Sequence, residues 1–298
     1  MTLKHTLLAS VATLAFALLP GYACAADTAK IPAQTLDKAL RARLPKEIQA
    51  AGEMTSVNSG SFPPYEIVSD NRTEMGATAD LCEALGQILG IKIKYETVSG
   101  MSAQLIGIKS GRYQFAMGPI GDFPERQAEH DFVDYVQEHV VFAVQAGNPL
   151  GIRRIEDTGG KRVAVMAGGS AERVIKQQSQ AFVQAGSPEI QVQSYQDQPT
   201  AILAVSAKRA DAFFSSLAPL SYFVKQSNGA LELAGIGAKN GFGDLFQGAV
   251  VPKNSPLGPV LRDGLQKLFS NGTYALIMKK WGLEANMLKA PAMNMAKK

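Results

Sequence analysis

Phe115-Ala116-Met117-Gly118-Pro119-Ile120-Gly121-Asp122-Phe123-Pro124-Glu125-Arg126 runs from an apolar strand through a glycine turn to an arginine. Two glycines let a backbone come close to a ligand with no side chain in the way. The arginine offers a planar fork of donors suited to a carboxylate. Taken alone, the stretch also fits an ordinary strand-to-turn connection with a surface arginine. A second stretch of the same design decides between the two. Arg162-Val163-Ala164-Val165-Met166 is an apolar strand, Ala167-Gly168-Gly169-Ser170 a glycine turn, and a helix follows from Ala171. Strand, turn and Ser-capped helix aim free N–H groups and the positive helix pole at an anion. No Gly-Lys-Ser/Thr follows, so this is not the phosphate loop of nucleotide hydrolases.

Strands and helices alternate outward from these two turns. Met54-Thr55-Ser56-Val57 reads as a strand, and Thr78 to Leu89 as a helix capped by Thr78 and ended by Gly90. Cys82 lies beside its apolar face, in a buried, inert place. Ile91 to Tyr95 alternates as a strand with one wet face, and Met101 to Ser110 is a short helix. Ala210 to Ser216 is a strand, Leu217 to Gln226 a helix, and Gln247 to Val251 a strand. Helices over Pro256–Phe269 and Gly272–Trp281 precede a tail, residues 289–298, expected to be flexible. The pattern is α/β with mostly parallel sheet. A break at Gly147-Asn148-Pro149 divides it into two βαβ blocks, hence two lobes. Ligands of such sheets bind at strand carboxyl ends, where both glycine turns lie, each facing a cleft between the lobes.

Before the first strand, Leu36, Leu40 and Leu44 recur every four residues, with Asp37 and Arg41 able to pair on the wet side. This is a short docking helix within a leader, residues 26–51. Ser61-Phe62-Pro63-Pro64-Tyr65-Glu66 is a rigid extended turn presenting Phe62 and Tyr65, either of which fits core or cleft equally well.

The N-terminus carries an address. Lys4 precedes an apolar run from Leu7 to Leu19, and Ala23-Cys24-Ala25 forms a small-x-small exit. Residues 1–25 therefore read as a cleavable secretory signal, too short for a comfortable membrane span. Acylation of Cys24 is the weaker reading, because Gly21 stands where lipoprotein signals carry leucine. Cys82 is then the one remaining cysteine, so no internal disulfide forms. Without Lys4 the chain has 29 basic against 26 acidic side chains and no basic cluster, so nucleic acid is not indicated. His130 and His139 lack zinc-ligand spacing and neighbouring cysteines; neither a metal nor a cofactor is expected.

The order of landmarks resembles the extracellular solute-binding proteins of family 3, the polar-amino-acid receptors of ABC importers. The matching pieces are Phe62-Pro63-Pro64-Tyr65, Gly76 with Asp80-Leu81, Leu105 to Tyr113, Glu125-Arg126, and Asp131-Phe132 with Tyr135. Further on come Gly160 to Val165, Gly169-Ser170, Arg209 to Ala212, Gly248 to Lys253, Gly272-Thr273-Tyr274 and Lys280 to Leu283. The resemblance spans nearly all of residues 52–288. It implies the two-lobed periplasmic-binding-protein fold of type II, with two hinge strands and the ligand in the inter-lobe cleft. One lobe is residues 52–141 plus 248–288, the other residues 142–247. It also implies that Arg126 grips the ligand α-carboxylate, helped by Gly118, Pro119 and Gly121. Gly169 and Ser170 bind that carboxylate from the second lobe, and Phe62 stacks on the ligand. A monomer handing its ligand to a membrane permease is the expected partner arrangement.

Three positions depart from the family pattern. Ser216 stands where an acid usually pairs with the ligand ammonium. Met101 replaces an aromatic residue, and Gly121 a Ser or Thr. Serine accepts a hydrogen bond but cannot neutralise a buried charge. Asp122, Asp211 or Asp244 could supply an acid from elsewhere, Asp211 more often in a structural part. The leading expectation is thus a periplasmic receptor for a small carboxylate, a polar amino acid first. The alternative is an exported cyclohexadienyl dehydratase-like enzyme, for which Glu66, Asp122, Glu125 and Glu172 are the acids near cleft-facing turns. A sensory partner for a membrane receptor is a third reading. No Ser-His-Asp set, Cys-His set or paired carboxylates can be assembled from spacing, so a non-enzyme is expected.

Overall fold

Apolar runs buried on both faces form the sheet centres of both lobes. The computed structural model describes residues 30–69 and 71–297. The expected signal segment, with Cys24, lies outside the described residues.

In the first lobe Glu53–Asn58 pairs in parallel with Lys92–Thr97, and Ser56 bridges to Phe115 just ahead of strand Ala116–Gly121. Ala116–Gly121 then pairs with Leu245–Pro252, which pairs with His130–Glu138, all antiparallel. In the second lobe the strand order is Gln191–Tyr195, Arg162–Met166, Ala212–Ser216, Val140–Gln145, Leu231–Ala234. Its first three strands are parallel and its last two join antiparallel. The expectation of mostly parallel sheet is therefore corrected. The strands that cross between lobes run against their neighbours, a feature that local βαβ pattern does not contain.

The chain changes sheet at His139 alone, since Glu138 ends one strand and Val140 opens the next. It returns between Ala234 and Leu245. The boundaries expected at 141/142 and 247/248 fall within strands Val140–Gln145 and Leu245–Pro252. Each lobe has its own core, and Ala218 of the second lobe joins that of the first. Leu81, Leu85 and Leu89 pack with Leu261 and Leu265 in the first. Phe142, Phe214 and Ile175 pack in the second.

Several local expectations are revised by longer-range bonds. Helix Ala77–Leu89 begins after Gly76, and Thr78 donates to the Tyr65 carbonyl instead of capping. Leu40 and Leu44 are buried but Leu36 is exposed, outside helix Lys38–Ala42. Asp37 caps that helix and pairs with Lys267 rather than Arg41, whose guanidinium reaches the Leu89 and Gly90 carbonyls.

The tail expected to be flexible is a strand. Met287–Met293 pairs antiparallel with His130–Glu138. Beyond it, Met295 N–H donates to Asp134 at 3.0 Å and Ala296 N–H to Asp122 at 2.8 Å. Burial, with the neighbouring Asp122 carboxyl, holds the Asp134 carboxyl well above the usual carboxylate range. An otherwise unpaired sheet edge and these acids supply the partners that the tail composition did not reveal.

Candidate functional site

Both glycine turns arrive at the same cavity between the lobes. Its wall includes Phe62, Met101, Pro119, Gly121 and Arg126 from the first lobe. Gly169, Ser170 and Ser216 line it from the second. These are eight of the nine residues singled out from sequence. Gly118 is the exception, and its role is backbone geometry. It sits at φ 76°, and a Cβ there would lie 2.4 Å from the Gly248 carbonyl oxygen. Any side chain would push apart the strands that place Arg126.

Arg126 closes the space between the lobes. One guanidinium nitrogen donates to the Gly121 carbonyl at 2.8 Å, within its own lobe. The other donates to the Gly168 carbonyl at 3.1 Å, across the cleft. Gly121 must be small because the Phe123 ring lies against it, 2.6 Å from where a Cβ would be, with the guanidinium at 3.4 Å. Burial draws the Arg126 pKa down to about 10, which leaves it charged at neutral pH. Phe123 is the platform beneath, with the Arg126 and Arg173 guanidinium carbons 5.2 and 5.1 Å from its ring centre. Arg173 reaches across to Glu125 at 3.2 Å, a second tie between lobes.

The facing turn departs in detail from its expected chemistry. Helix Ser170–Gln184 has Gly169 as its cap residue and no side-chain cap bond, so Ser170 is its first residue. Its leading N–H groups therefore have no side-chain acceptor and face the cavity beside Arg126. The Glu172 carboxylate turns back to accept the Gly168 N–H at 2.7 Å and pairs with Lys176.

The cation end was the open question, and none of the three proposed acids answers it. Asp122 accepts Gln127 and Ala296. Asp211 is bound to Arg162, in the structural part anticipated for it. Asp244 accepts Gln137 on the surface. The carboxylate on the cavity wall is Glu66, buried and accepting the Ser59 N–H at 3.1 Å and hydroxyl at 2.8 Å. Desolvation pushes its pKa up to about 7, against the pull of those two bonds. No lysine, arginine or histidine bonds to it among the described residues. Sequence also did not single out Ser59, Gln104, Met166, Gln198, Ser215 and Gln247, nor the apolar Ile120, Val140 and Ala171, all of which line the cavity. Tyr65 takes the core option: fully buried, stacked 5.8 Å from Phe62, its hydroxyl donating to Glu138 at 2.8 Å.

Among the described residues no cluster of His, Cys, Asp and Glu could hold a metal ion. No helix there is long and apolar enough to cross a membrane.

Fold and site define a two-lobed binding protein with an inter-lobe cleft. The chain belongs to the bacterial extracellular solute-binding proteins, family 3, whose family model matches residues 54–284. It is 26% identical over 259 residues to the arginine-binding protein ArgT of Corynebacterium glutamicum, covering 86% of this chain and 82% of that one. It is 22% identical over 237 residues to the L-cystine-binding protein TcyJ of Escherichia coli, covering 79% and 84%. An ancestral arginine-binding protein bound to arginine superposes with a TM-score of 0.69 at 25% identity, covering 77% of this chain and 98% of that one. These relatives are solute-binding proteins, not enzymes, and they favour the receptor reading over the dehydratase alternative.

Proposed function

We propose that this protein is a periplasmic receptor that captures an α-amino acid and delivers it to an ABC-importer permease. The observation that carries the reading is the pairing of opposite charges on one inter-lobe wall, Arg126 and Glu66. Arg126, the Gly121 backbone and the leading N–H groups at Ser170 take the α-carboxylate. Glu66 takes the ammonium, replacing the acid absent at Ser216. Phe62 and Met101 pack against the ligand side chain, and Pro119 shapes the wall. Residues 1–25 direct export and are removed; Cys24 leaves with them. The amino-acid names of the relatives support the ligand class.

Binding needs no chemical step. The ligand adds contacts in the closed form that the open form lacks, and so shifts the equilibrium toward closure. A thermal-shift screen of the mature protein against amino acids and simple organic acids tests this. Binding raises the melting temperature by mass action. Arg126→Ala should abolish the shift while the unliganded protein still melts cooperatively. An undiminished shift would remove Arg126 from the site, and turnover of prephenate would replace the receptor reading by the enzyme.

A further inference from the structure

We infer that the cavity selects an amino acid whose side chain carries no charge. The inference rests on the amino-acid reading above and narrows it by counting charge on the wall. Among the residues lining the cavity, Arg126 is the one cation and Glu66 the one anion. The rest of the polar wall is neutral: chiefly the hydroxyls of Ser215 and Ser216 and the amides of Gln104, Gln198 and Gln247.

An amino-acid zwitterion uses both charges. Its carboxylate engages Arg126 and its ammonium engages Glu66. A dibasic ligand then has one cation too many, whichever of its two cations Glu66 receives. The surplus would face an unfavourable field. Four helices start at this wall: Met101–Lys109, Ser170–Gln184, Gln198–Ser206 and Leu217–Gln226 with Ser216 as its cap residue. Each turns its positive pole toward the cavity. A second carboxylate meets the favourable helix poles but no second cation, because the one guanidinium is engaged by the α-carboxylate and bonded to the Gly121 and Gly168 carbonyls. A buried charge without a partner outweighs the contacts it gains.

The neutral groups point to what remains. The Gln247 side-chain oxygen is buried and has no hydrogen-bond partner among the described residues. Gln104 and Gln198 are buried as well, and Gln198 already accepts the Ser215 hydroxyl at 3.0 Å. With the thioethers of Met101 and Met166, they make a chamber that is polar but uncharged. An uncharged side chain bearing a hydrogen-bond donor, such as a carboxamide, satisfies Gln247 at no cost in desolvated charge. This ligand class differs from that named for the arginine-binding relatives.

Isothermal titration of the mature protein at pH 8 with glutamine, asparagine, serine, methionine, arginine, lysine and glutamate tests the count. The tightest ligand should be one of the four neutral amino acids, with arginine, lysine and glutamate each at least about tenfold weaker. Arginine, lysine or glutamate binding tightest would overturn the inference and leave the amino-acid reading standing. No binding by any of the seven would overturn both. Gln198→Glu, nearly isosteric and at a helix start that favours a carboxylate, adds one negative charge to the wall. It should raise the arginine-to-neutral affinity ratio at least about tenfold. Ser216→Asp should do the same from another point on the wall, so that a folding defect in one variant leaves the other informative. An unchanged ratio in a folded variant would refute the charge count.

Discussion

The two ends of the cavity are built differently. Arg126 shares its bonds between lobes, with Gly121 on one side and Gly168 on the other. Glu66 takes both of its bonds from Ser59, seven residues earlier in the same lobe. On the proposed reading, closure completes the carboxylate end, whereas the ammonium site lies wholly within the first lobe. A ligand would then dock on the first lobe and gain the Gly168 side of the clamp as the second lobe arrives. Glu66 has no cationic partner among the described residues, and burial raises its pKa to about 7; the proposed ligand would supply the counter-charge.

The comparison breaks most readily at Arg126. Arg126→Ala should weaken amino-acid binding by about 2–5 kcal/mol, roughly thirtyfold to several thousandfold, because it removes one partner of a buried charge pair. Calorimetry reads this directly, and a loss below tenfold would mean that the guanidinium is only a closure latch. Glu66→Gln comes next, with an expected loss of about 1.5–3 kcal/mol, the range for a hydrogen bond to a charged group.

Acidity distinguishes the two ends without mutation. Arg126 keeps its charge throughout the neutral range, whereas Glu66 must ionise to receive an ammonium. Affinity should therefore fall as pH drops below about 7, by up to about tenfold per unit, and Glu66→Gln should flatten the profile. The unliganded protein should show the opposite trend. Glu66 and Glu138 both have pKa values raised to about 7, chiefly by burial. Their raised folded values contribute stability that is fully present below the unfolded value and lost as pH rises through about 7. Melting temperatures without ligand should decline from pH 5.5 to pH 8, and a rise over that window would contradict the assignments. The smallest effect belongs to the Glu125–Arg173 tie at the rim. Both side chains are about half exposed, so Arg173→Ala should cost less than about 1 kcal/mol of affinity and act mainly through closure.

The carboxylate end was legible in sequence because its parts are local. Gly118 to Arg126 and Gly168 to Ser170 each carry strand, turn and donor within a dozen residues, and strand-end logic brings both to one cleft. The cation end was hidden for the converse reason. Glu66 stood out in sequence only as one of four acids near cleft-facing turns, weighed for the dehydratase alternative and not as the partner of an ammonium, because its burial depends on the fold that encloses it. Gln247 was unreadable for the same reason: its burial depends on strand Leu245–Pro252 returning from the second lobe to lie beside Ala116–Gly121. The antiparallel crossing strands escaped detection too, since their pairing partners lie far away in the chain, 134 residues for Val250 and Ala116 and 128 for Gly248 and Ile120. Alternation of helix and strand gave the class correctly, yet it says nothing about the direction of a strand that changes lobes.

The closing strand matters for handling the protein at the bench. Met295 and Ala296 are bonded to Asp134 and Asp122, and Asp122 lies four residues ahead of Arg126. An affinity tag or fluorophore attached at the C-terminus would pull on the loop that carries the carboxylate clamp. An N-terminal label, joined ahead of the docking helix Lys38–Ala42, lies off that load path. Titrating the two labelled forms side by side, with matched affinities expected only for the N-terminal one and the untagged protein, turns that strand into a strain gauge for the site.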